Sequence, residues 1–436
     1  MVSTRPMSFS SAVSYLESLP TPPQWALSTP KRLNEFLGIG LRCQILHVTG
    51  TNGKGSACAF ASQILRSAGY RVGTYTSPHL SRYNERIAVD GKDISNHDFA
   101  DAVSQTALAA KRMQETDGVI PSTFEALTAA ALLHFQKQSL DFLVLEVGLG
   151  GRLDATNAVD AQVALVTNVG LEHTAELGAS LSAIAREKSG IIKPGASVAT
   201  GVSQPAALAE IKAACAKNNA SLKTMGKDFS FTLNSVSLSG TRFGYCGAQD
   251  YYPALRSSLL GGHQAFNASC AIAAVECFQE RGFNVSKKAV YDGVERARWP
   301  GRLEIVRRRP LVILDGAHNP HGMAVLRSAL KDIVPGKNLV FVVGILADKD
   351  YVQMISLLAP LASKMVFCRP DTPRAAGPNV LAVLARKAGC KSVSVVSDVG
   401  LAVGEAISSA SAKDAVVVCG SLYTVGAART ALCAGV

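Results

Sequence analysis

A short apolar run followed by a glycine-rich turn decides the fold of the N-terminal half of the chain. It reads Ile45-Leu46-His47-Val48-Thr49-Gly50-Thr51-Asn52-Gly53-Lys54-Gly55-Ser56. The run predicts a buried strand over residues 45–48, and the sequence that follows predicts a helix over residues 55–68. A turn of this kind exposes backbone N–H groups to an anion, and the helix N-terminus adds partial positive charge. Lys54 can then reach terminal phosphates, and the Ser56 hydroxyl can bind Mg²⁺.

This turn departs from the strict P-loop string G-x-x-x-x-G-K-[ST]. The first glycine of that string would fall on Val48, and Gly55 separates Lys54 from Ser56. A glycine-rich turn without a ligand is therefore one interpretation. The position between a strand and a helix favours the other, which is nucleotide binding.

Strand and helix patterns alternate along the rest of the chain. Further strands are predicted at residues 72–75, 142–147, 163–167, 312–315, 340–343, 364–367, 392–396 and 415–419, and further helices at 124–137 and 324–331. Several of these strands are nearly continuous runs of Val, Leu and Ile, which is typical of strands buried on both faces. We therefore predict an α/β fold with doubly wound parallel sheets. Residues 200–262 alternate polar and apolar residues, which indicates an antiparallel extension.

Composition limits the possible classes of protein. The chain has 436 residues, of which 48% are apolar and 18% charged, so it can form two or three domains with full cores and is not a disordered protein or a coiled coil. Pro300 and Gly301 break the pattern, and we predict one domain over residues 1–299 and a second over residues 300–436. No run of 18 apolar residues and no secretory signal pattern is present, so no membrane span is predicted.

Charge and cysteine usage narrow the expected partners and compartment. The formal net charge is +11, but the basic residues are scattered and aromatic residues make up only 6%. This argues against a nucleic-acid partner and favours a small anionic substrate. None of the ten cysteines forms a C-x-x-C pair, and most lie in apolar runs. Reduced, buried thiols of a cytoplasmic protein are the expected state.

Four polar residues at the ends of predicted elements each allow two interpretations. Glu146 ends a strand, where it is either an exposed acid or part of a ligand site. His173, in a loop after the next strand, is more often structural than a ligand when considered alone. Lys188, at a helix end, can simply complement the helix dipole. His318 precedes a turn signal and either shapes that loop or faces a cleft.

The chain resembles the folylpolyglutamate synthase and dihydrofolate synthase family of the Mur ligase superfamily. The resemblance rests on strings that occur in order along nearly the whole chain, at residues 50–56, 76–80, 84–87, 122–125, 146–157, 187–193, 262–268, 300–302, 315–320 and 420–423. It implies a P-loop-containing, parallel-sheet N-terminal ATPase domain that binds ATP and folate. It also implies a smaller, Rossmann-like α/β C-terminal domain for glutamate ligation.

The resemblance also assigns roles to individual residues. For ATP it implies the loop Gly50, Thr51, Asn52, Gly53, Lys54, Gly55 and Ser56, with Asn267 at the base, Arg302 at the phosphates and Asp315 at the ribose. For Mg²⁺ it implies Ser56, Ser77, Glu146 and His173. For the pterin-bearing substrate it implies Ser122, Thr123, Phe124, Glu125, Leu153, Asp154 and Ala155. It places His318, with Ser421, near the incoming amino acid, makes Lys188 a carbamoylated lysine, and gives catalytic roles to Lys54, Lys188, His173 and His318.

The implied activity is ATP- and Mg²⁺-dependent ligation of L-glutamate through an acyl phosphate. The acceptor is dihydropteroate, a folylglutamate, or both, and an enzyme that only elongates folylglutamates is the first alternative. A peptidoglycan Mur ligase and a P-loop nucleotide switch without ligase activity are weaker alternatives. A cytoplasmic monomer without nucleic-acid or membrane partners is expected.

Overall fold

The apolar runs of the sequence form the centres of three sheets. The computed structural model describes residues 6–21 and 25–433. Two of the sheets are mainly parallel and are covered by helices on both faces, and the third is a small antiparallel sheet. The predicted α/β class with parallel sheets is thus confirmed. None of the helices in the described ranges is long and apolar enough to cross a membrane.

The first sheet has eight strands in the order β4-β3-β2-β5-β1-β6-β7-β8. Six are parallel, and β3 and β4 add antiparallel pairs at one edge. The strands are β1 (Gln44–Thr49), β2 (Val72–Tyr75), β3 (Ile87–Val89), β4 (Lys92–Asp93), β5 (Phe142–Glu146), β6 (Val163–Val166), β7 (Ser197–Thr200) and β8 (Ser221–Thr224). The sequence did not predict β3 and β4, because strands of three and two residues are too short to give a recognisable pattern.

Helices cover both faces of this sheet because its strands are apolar on both sides. In β5, Phe142 and Val144 face one core, whereas Leu143 and Leu145 face the other. The helices that belong to this half of the chain are α1 (Phe9–Ser18), α2 (Ser28–Leu37), α3 (Lys54–Ser67), α4 (Asn96–Asp117), α5 (Thr123–Gln136), α6 (Thr174–Leu177), α7 (Leu181–Ser189), α8 (Pro205–Lys217), α9 (Gly262–Glu280) and α10 (Lys287–Arg296). A Cβ at Gly293 of α10 would lie 2.5 Å from the Cα of Ile64 in α3, so these two helices are in backbone contact.

The predicted antiparallel extension is shorter than residues 200–262. The strands β9 (Ser230–Ser237), β10 (Gly240–Cys246) and β11 (Tyr251–Ser257) form it, in the order β11-β10-β9. Residues 205–224 instead form α8 and the last parallel strand, β8. The prediction was wrong there, because the polar positions of an exposed helix were taken for the alternation of a strand. Phe243 and Tyr245 of β10 join the core that contains α3 and α9.

The third sheet has six strands in the order β12-β13-β17-β14-β15-β16. They are β12 (Glu304–Arg308), β13 (Leu311–Leu314), β14 (Asn338–Val343), β15 (Ala362–Phe367), β16 (Val393–Val395) and β17 (Asp414–Cys419). Only β12 is antiparallel, and it carries its charged residues at an exposed edge. The helices of this half are α11 (Pro320–Ile333), α12 (Tyr351–Leu358), α13 (Pro378–Lys387), α14 (Val399–Ser409) and α15 (Leu422–Cys433).

Candidate active site

The glycine-rich turn between β1 and α3, the P-loop, is held by the end of the neighbouring strand β6. The N–H of Thr51 donates to the carbonyl of Asn168 at 3.0 Å, and the N–H of Asn52 donates to the Asn168 side chain at 2.9 Å. The Thr167 hydroxyl donates to the Asn52 carbonyl at 2.8 Å. A Cβ at Gly50 would collide with Thr167, so only glycine fits there. These contacts fix the shape of the turn.

Helix α3 begins at the P-loop without a side-chain cap from the described residues. Its N-cap, Gly53, has φ +83°, and a Cβ there would collide with the carboxamide of Asn267. The first N–H groups of an uncapped helix can bind an anion. The Nζ of Lys54 donates to the carbonyl of Gly50 at 3.0 Å and so lies over the same turn. The turn therefore has the donors and the cation that phosphate binding requires.

A cavity of about 310 Å³ opens beside the P-loop, and we call it the central cavity. Loops from both parallel sheets border it. Its lining includes the following predicted residues: Lys54, Ser56, Ser77, Glu146, His173, Lys188, Arg302, His318 and Ser421. Residues that are far apart in sequence thus meet at the carboxyl ends of the strands, where α/β proteins bind ligands.

Three of the residues predicted to hold a cation lie at strand or helix ends in this cavity. Glu146 ends β5 and is only 4% exposed, and its Oε2 accepts the N–H of Ser77 at 3.1 Å. Burial raises the pKa of Glu146, although Lys54 acts in the opposite direction. Ser56 lies buried in the first turn of α3. These oxygen atoms face the turn that is suited to phosphate.

His173, the fourth predicted cation ligand, caps the short helix α6 in the left-handed conformation, with φ +51°. Its Nδ1 lies 4.0 Å from the carboxylate of Glu176. Burial lowers the pKa of His173. A neutral imidazole is the form that can bind a metal ion.

This donor set fits a magnesium ion shared with a nucleotide. No three His, Cys, Asp or Glu residues in the described ranges converge as a metal cage. Mg²⁺ in nucleotide sites uses one or two carboxylates and completes its shell with waters and substrate phosphates. The single carboxylate of Glu146, with hydroxyls at Ser56 and Ser77 beside an anion-binding turn, matches that chemistry.

Lys188 is a buried lysine in the last turn of α7 and is only 4% exposed. Burial, helped by the positive charge of Lys54, lowers its pKa to about 7. An ordinary helix-end lysine would remain protonated in water. At a pKa of about 7 a large fraction of the side chain is neutral amine, which is the nucleophilic form that can react with CO₂.

A second cavity, of about 410 Å³, lies between the P-loop and the loop that follows β13, and we call it the Asn267 cavity. Asn267, Arg302 and Asp315 all border it. The Asp315 carboxylate accepts the N–H groups of Leu303 and Ala317, both at 3.0 Å. Burial raises the pKa of Asp315, and Arg302 opposes that effect. The three residues predicted to contact ATP outside the P-loop therefore lie around one cavity.

Glu172 is a residue of the site that the sequence did not indicate. Its Oε1 accepts the Asn319 amide at 2.9 Å and lies 3.6 Å from Nε2 of His318. Burial raises the pKa of Glu172, but the nearby His318 and the hydrogen bond from Asn319 outweigh burial, so the pKa is well below its usual range. Glu172 thus holds the loop of one sheet against the loop of the other.

A third cavity, of about 310 Å³, shares Ser77 and Pro78 with the central cavity, and we call it the Asp154 cavity. Its lining includes Trp25, Arg86, Phe124, Leu153 and Asp154. Only Phe124, Leu153 and Asp154 of the residues predicted to bind the pterin border it. Ala155 is buried in the turn after Asp154.

The Asp154 carboxylate also stabilises the loop around it. Its carboxylate accepts the N–H of Leu149 at 2.8 Å and both the N–H and the hydroxyl of Thr156. Behind it, Nε2 of His47 lies 2.8 Å from the Thr156 hydroxyl. Burial raises the pKa of Asp154, while these hydrogen bonds lower it. The wall of the Asp154 cavity therefore depends on this carboxylate.

The polar groups of Ser122, Thr123 and Glu125 are used within the fold. Ser122 and Glu125 form a capping box at the start of α5, with the Ser122 hydroxyl donating to Glu125 at 2.8 Å. The Thr123 hydroxyl donates to the carbonyl of Leu16 at 2.8 Å. Their predicted contact with a substrate stays a prediction, and the structure gives them a role in positioning Phe124.

Ser421 and two further cations complete the side of the central cavity that the second parallel sheet provides. Ser421 is buried and shares a hydrogen bond of 2.8 Å with Thr424. Lys349 and Arg374 border the same cavity. The sequence did not indicate either cation, because each lies in a loop without a motif. Arg374 pairs with Asp348 at 2.9 Å, which holds its guanidinium at the rim.

Comparison with known proteins defines the class first. Residues 48–275 match the model of the Mur ligase middle domain, and residues 301–422 match that of the Mur ligase, glutamate ligase domain. Together these matches cover most of the chain. The fold and the central cavity therefore belong to a Mur-type ligase.

More specific relatives agree on one branch of that class. The dihydrofolate synthase/folylpolyglutamate synthase of Bacillus subtilis is 38% identical over 337 residues, which is 77% of this chain and 78% of the relative. The structure of Escherichia coli FolC in complex with DHPP and ADP has a TM-score of 0.89 at 32% identity and covers 98% of both chains. That of the bifunctional synthase from Yersinia pestis, with AMPPNP and a Mn ion, has a TM-score of 0.86 at 32% identity, again over 98% of both. The chain belongs to the dihydrofolate synthase/folylpolyglutamate synthase family.

Proposed function

We propose that this protein joins L-glutamate to dihydropteroate and also to the γ-carboxyl of folylglutamates, using ATP and a divalent cation. The observation that carries this proposal is the meeting of two loops at the central cavity. The P-loop with Lys54 and the loop with His318 both border it, and the Asp154 cavity adjoins it at Ser77. The names and ligands of the relatives support the same chemistry. An enzyme that only elongates folylglutamates is the alternative.

The chemistry requires that a carboxylate be activated before an amine attacks it. Transfer of the γ-phosphoryl group of ATP to the acceptor carboxylate gives an acyl phosphate, whose leaving group is phosphate. The amine of glutamate then attacks the acyl carbon, and a tetrahedral species collapses to the amide with release of phosphate. The protein contributes mainly position and charge, as in other phosphoryl transfers.

In this proposal the P-loop and Lys54 bind the β- and γ-phosphates, and Arg302 neutralises charge on the group in transfer. Asn267 contacts the base and Asp315 the ribose. His318 and Ser421 position glutamate at the opposite side of the central cavity, and Phe124, Leu153 and Asp154 bind the pterin. Lys349 and Arg374 lie at the rim, where they can attract the carboxylates of glutamate.

Ser56, Ser77, Glu146 and His173 would hold the cation. When bound, a divalent cation would neutralise charge on the phosphates. Lys188 has the low pKa that carbamoylation needs, and its carbamate would add a negative charge on the same side of the cavity. Glu146 orients the Ser77 backbone through its hydrogen bond.

We also propose a domain boundary at residues 299 and 300, with the nucleotide held between the two parts. A monomer that acts in the cytoplasm without membrane or nucleic-acid partners is part of the proposal. Its support is that all ten cysteines are unpaired and seven of them are buried, which suits a reducing compartment. Sedimentation equilibrium of the purified protein tests the monomer, and a mass near twice that of the 45.7 kDa chain would contradict it.

The test of function is ADP release with a panel of acceptors. The panel contains dihydropteroate, tetrahydrofolate and its diglutamate, and a UDP-linked muramyl acceptor, each with and without L-glutamate. Turnover is expected only when glutamate and a pterin acceptor are both present, and hydroxylamine should trap the acyl phosphate as a hydroxamate. Release without either co-substrate would indicate a nucleotide switch. Turnover of the UDP-linked acceptor alone would indicate a peptidoglycan ligase, and inactivity with dihydropteroate alone would leave the elongating enzyme.

A further inference from the structure

The proposed function leaves one large cavity of the described chain without a role of its own. This cavity of about 790 Å³ lies beside α3 and shares the lining residues Ser77 and Pro78 with the Asp154 cavity, and we call it the arginine cavity. Six arginines and only three carboxylates border it. The arginines are Arg66, Arg82, Arg296, Arg298, Arg302 and Arg429.

Four of these guanidinium groups have no carboxylate partner within the ranges that the structure describes, and one of the four is Arg302. Arg66 donates to Gln63 at 2.9 Å, Arg82 to Asn96 at 2.7 Å, and Arg298 to Ser258 at 2.6 Å. These neutral partners orient each guanidinium and leave its charge uncompensated. Several exposed arginines elsewhere, such as Arg256, do pair with carboxylates.

The carboxylates of the lining do not balance this charge. Glu85 turns to the backbone and accepts N–H groups of Leu80, Ser81 and Arg82 at 2.7–3.0 Å. Glu146 belongs to the central cavity, and Asp93 lies exposed at the rim. The cavity is therefore suited to an anion with several separated negative charges.

One face of α3 forms a floor from the P-loop to Arg66. Gly55, Ala59, Ser62 and Arg66 border the cavity, and their spacing of three and four residues places them on one side of the helix. The first three have small side chains, which leaves a groove. Eleven residues of helix span about 16 Å. Since Gly55 also borders the central cavity, the groove leads away from the reacting groups.

We propose that the arginine cavity binds the oligo-γ-glutamyl tail of the acceptor. This inference rests on the proposed elongation of folylglutamates. A γ-linked glutamyl unit carries one free α-carboxylate and, with two more C–C bonds than an α-linked residue, spans about 6 Å. The groove thus accommodates two or three units, and the planar guanidinium forks match their carboxylates. The growing tail lies in this groove while its terminal γ-carboxyl enters the central cavity.

The binding test uses free tetra-γ-glutamate and needs no catalysis. Trp299 borders the arginine cavity, and the other tryptophan, Trp25, borders the Asp154 cavity. In a Trp25→Phe background, tetra-γ-glutamate should change the fluorescence of Trp299. Adding Arg66→Gln and Arg82→Gln should raise the Kd about ten-fold, because each lost charge pair at a partly exposed site is worth about 0.7 kcal/mol.

Two control variants and a competing anion test whether binding is specific to the arginine cavity. Arg281→Gln, an exposed arginine outside the cavity lining, should leave the Kd unchanged, and Arg66→Lys should cost less than Arg66→Gln. An unchanged Kd in the double variant would overturn the proposal, as would the absence of any fluorescence change in the Trp25→Phe protein. If tripolyphosphate binds more tightly than tetra-γ-glutamate and displaces it, the cavity is a phosphate site instead.

The kinetic test distinguishes tail binding from a general defect. In the double variant, the KM for tetrahydrofolyl tetraglutamate should rise about ten-fold, whereas the KM values for dihydropteroate and ATP should change less than about two-fold. Equal changes in all three would overturn the proposal. If the unmodified protein elongates no folylglutamate, the elongating activity in the proposed function is wrong. The fluorescence result then still decides whether the cavity binds the tail.

Discussion

Two loops of this molecule each join a parallel strand to a helix, but their chemistry differs. The P-loop joins β1 to α3, and the loop of residues 315–319 joins β13 to α11. In the first, Gly53 is the N-cap and no side chain of the described residues accepts the helix N–H groups. In the second, the Asn319 side chain accepts the N–H of Gly322 at 2.7 Å.

The difference teaches that strand-to-helix topology does not by itself make an anion site. Asn319 satisfies the start of α11 internally, so the loop presents the side chain of His318 to the cavity instead of free N–H groups. Gly53 leaves the start of α3 open to an external acceptor, with Lys54 beside it. One loop is thus built for phosphate and the other for a group recognised by side chains.

Removal of Lys54, the cation of the P-loop, should have the largest effect on activity. We expect Lys54→Ala to lower kcat about 10³-fold, since one preorganised charge at a phosphoryl group is worth several kcal/mol. ADP release with both co-substrates measures it. Lys331→Ala, an exposed lysine on α11, is the matched control and should retain full turnover. Equal activity of the two variants would remove the contrast between the loops.

A side chain at Gly53, the N-cap of α3, should lower activity nearly as much. Gly53→Ala would force a Cβ into Asn267 at φ +83°, and we expect kcat/KM for ATP to fall about 100-fold. Gly336 has a similar φ, +72°, with open space around it, so Gly336→Ala shows the effect of backbone strain alone. A similar loss in both variants would mean that the close approach to Asn267 is unimportant.

The positive charge of the P-loop also predicts that carbamate formation on the neighbouring Lys188 depends on pH. Because burial and Lys54 lower the pKa of Lys188 to about 7, the amine is protonated below that pH and neutral above it. Carbamate formation consumes the neutral amine, so at fixed CO₂ it should rise at least about ten-fold from pH 6 to pH 8. The ¹³C signal of protein equilibrated with labelled CO₂ reports it, with Lys188→Arg as the blank. Absence of a carbamate signal at pH 8 would contradict the low pKa, because a lysine of ordinary pKa is almost fully protonated there.

Loss of the charge that links the two loops should have a smaller effect. Glu172→Gln keeps an acceptor for Asn319 but removes the negative charge beside His318, and we expect the KM for glutamate to rise about five-fold. Initial rates at varied glutamate measure this change. Glu210→Gln, which removes the carboxylate partner of the exposed Arg186, is the control. An unchanged KM would mean that Glu172 does not position His318.

Loss of Asn319, the N-cap side chain in the loop of residues 315–319, should have the smallest effect. We expect that effect on stability. Asn319→Ala should lower the free energy of unfolding by about 1 kcal/mol, because a capping side chain is lost. Thermal unfolding measures the shift, with the exposed, non-capping Asn379→Ala as the control. A loss of turnover far greater than the loss of stability would show that Asn319 acts on the substrate.

Features that depend on a local sequence pattern were predicted from the sequence. Features that depend on tertiary contacts were missed. The central parallel strands and the P-loop were predictable because apolar runs and glycines carry them. Glu172 was not, because nothing in the chain indicates that it meets His318, which lies 146 residues later. Lys188 was recognised as a helix-end lysine, but its burial depends on packing around the central cavity. The pattern at Ser122 and Glu125 is equally a capping signature, and the structure uses it in that way.

The backbone contact between Gly293 and Ile64 has a mechanical consequence. Since α10 rests directly on α3, we expect the phosphate-binding turn and the groove along α3 to move together with α10 and the first parallel sheet. Any narrowing of the central cavity during turnover then falls to the six-stranded sheet, which carries His318 and Ser421 toward a stationary partner. Spin labels on α3 and α10 should keep their separation during catalysis, while a label on α11 should approach them.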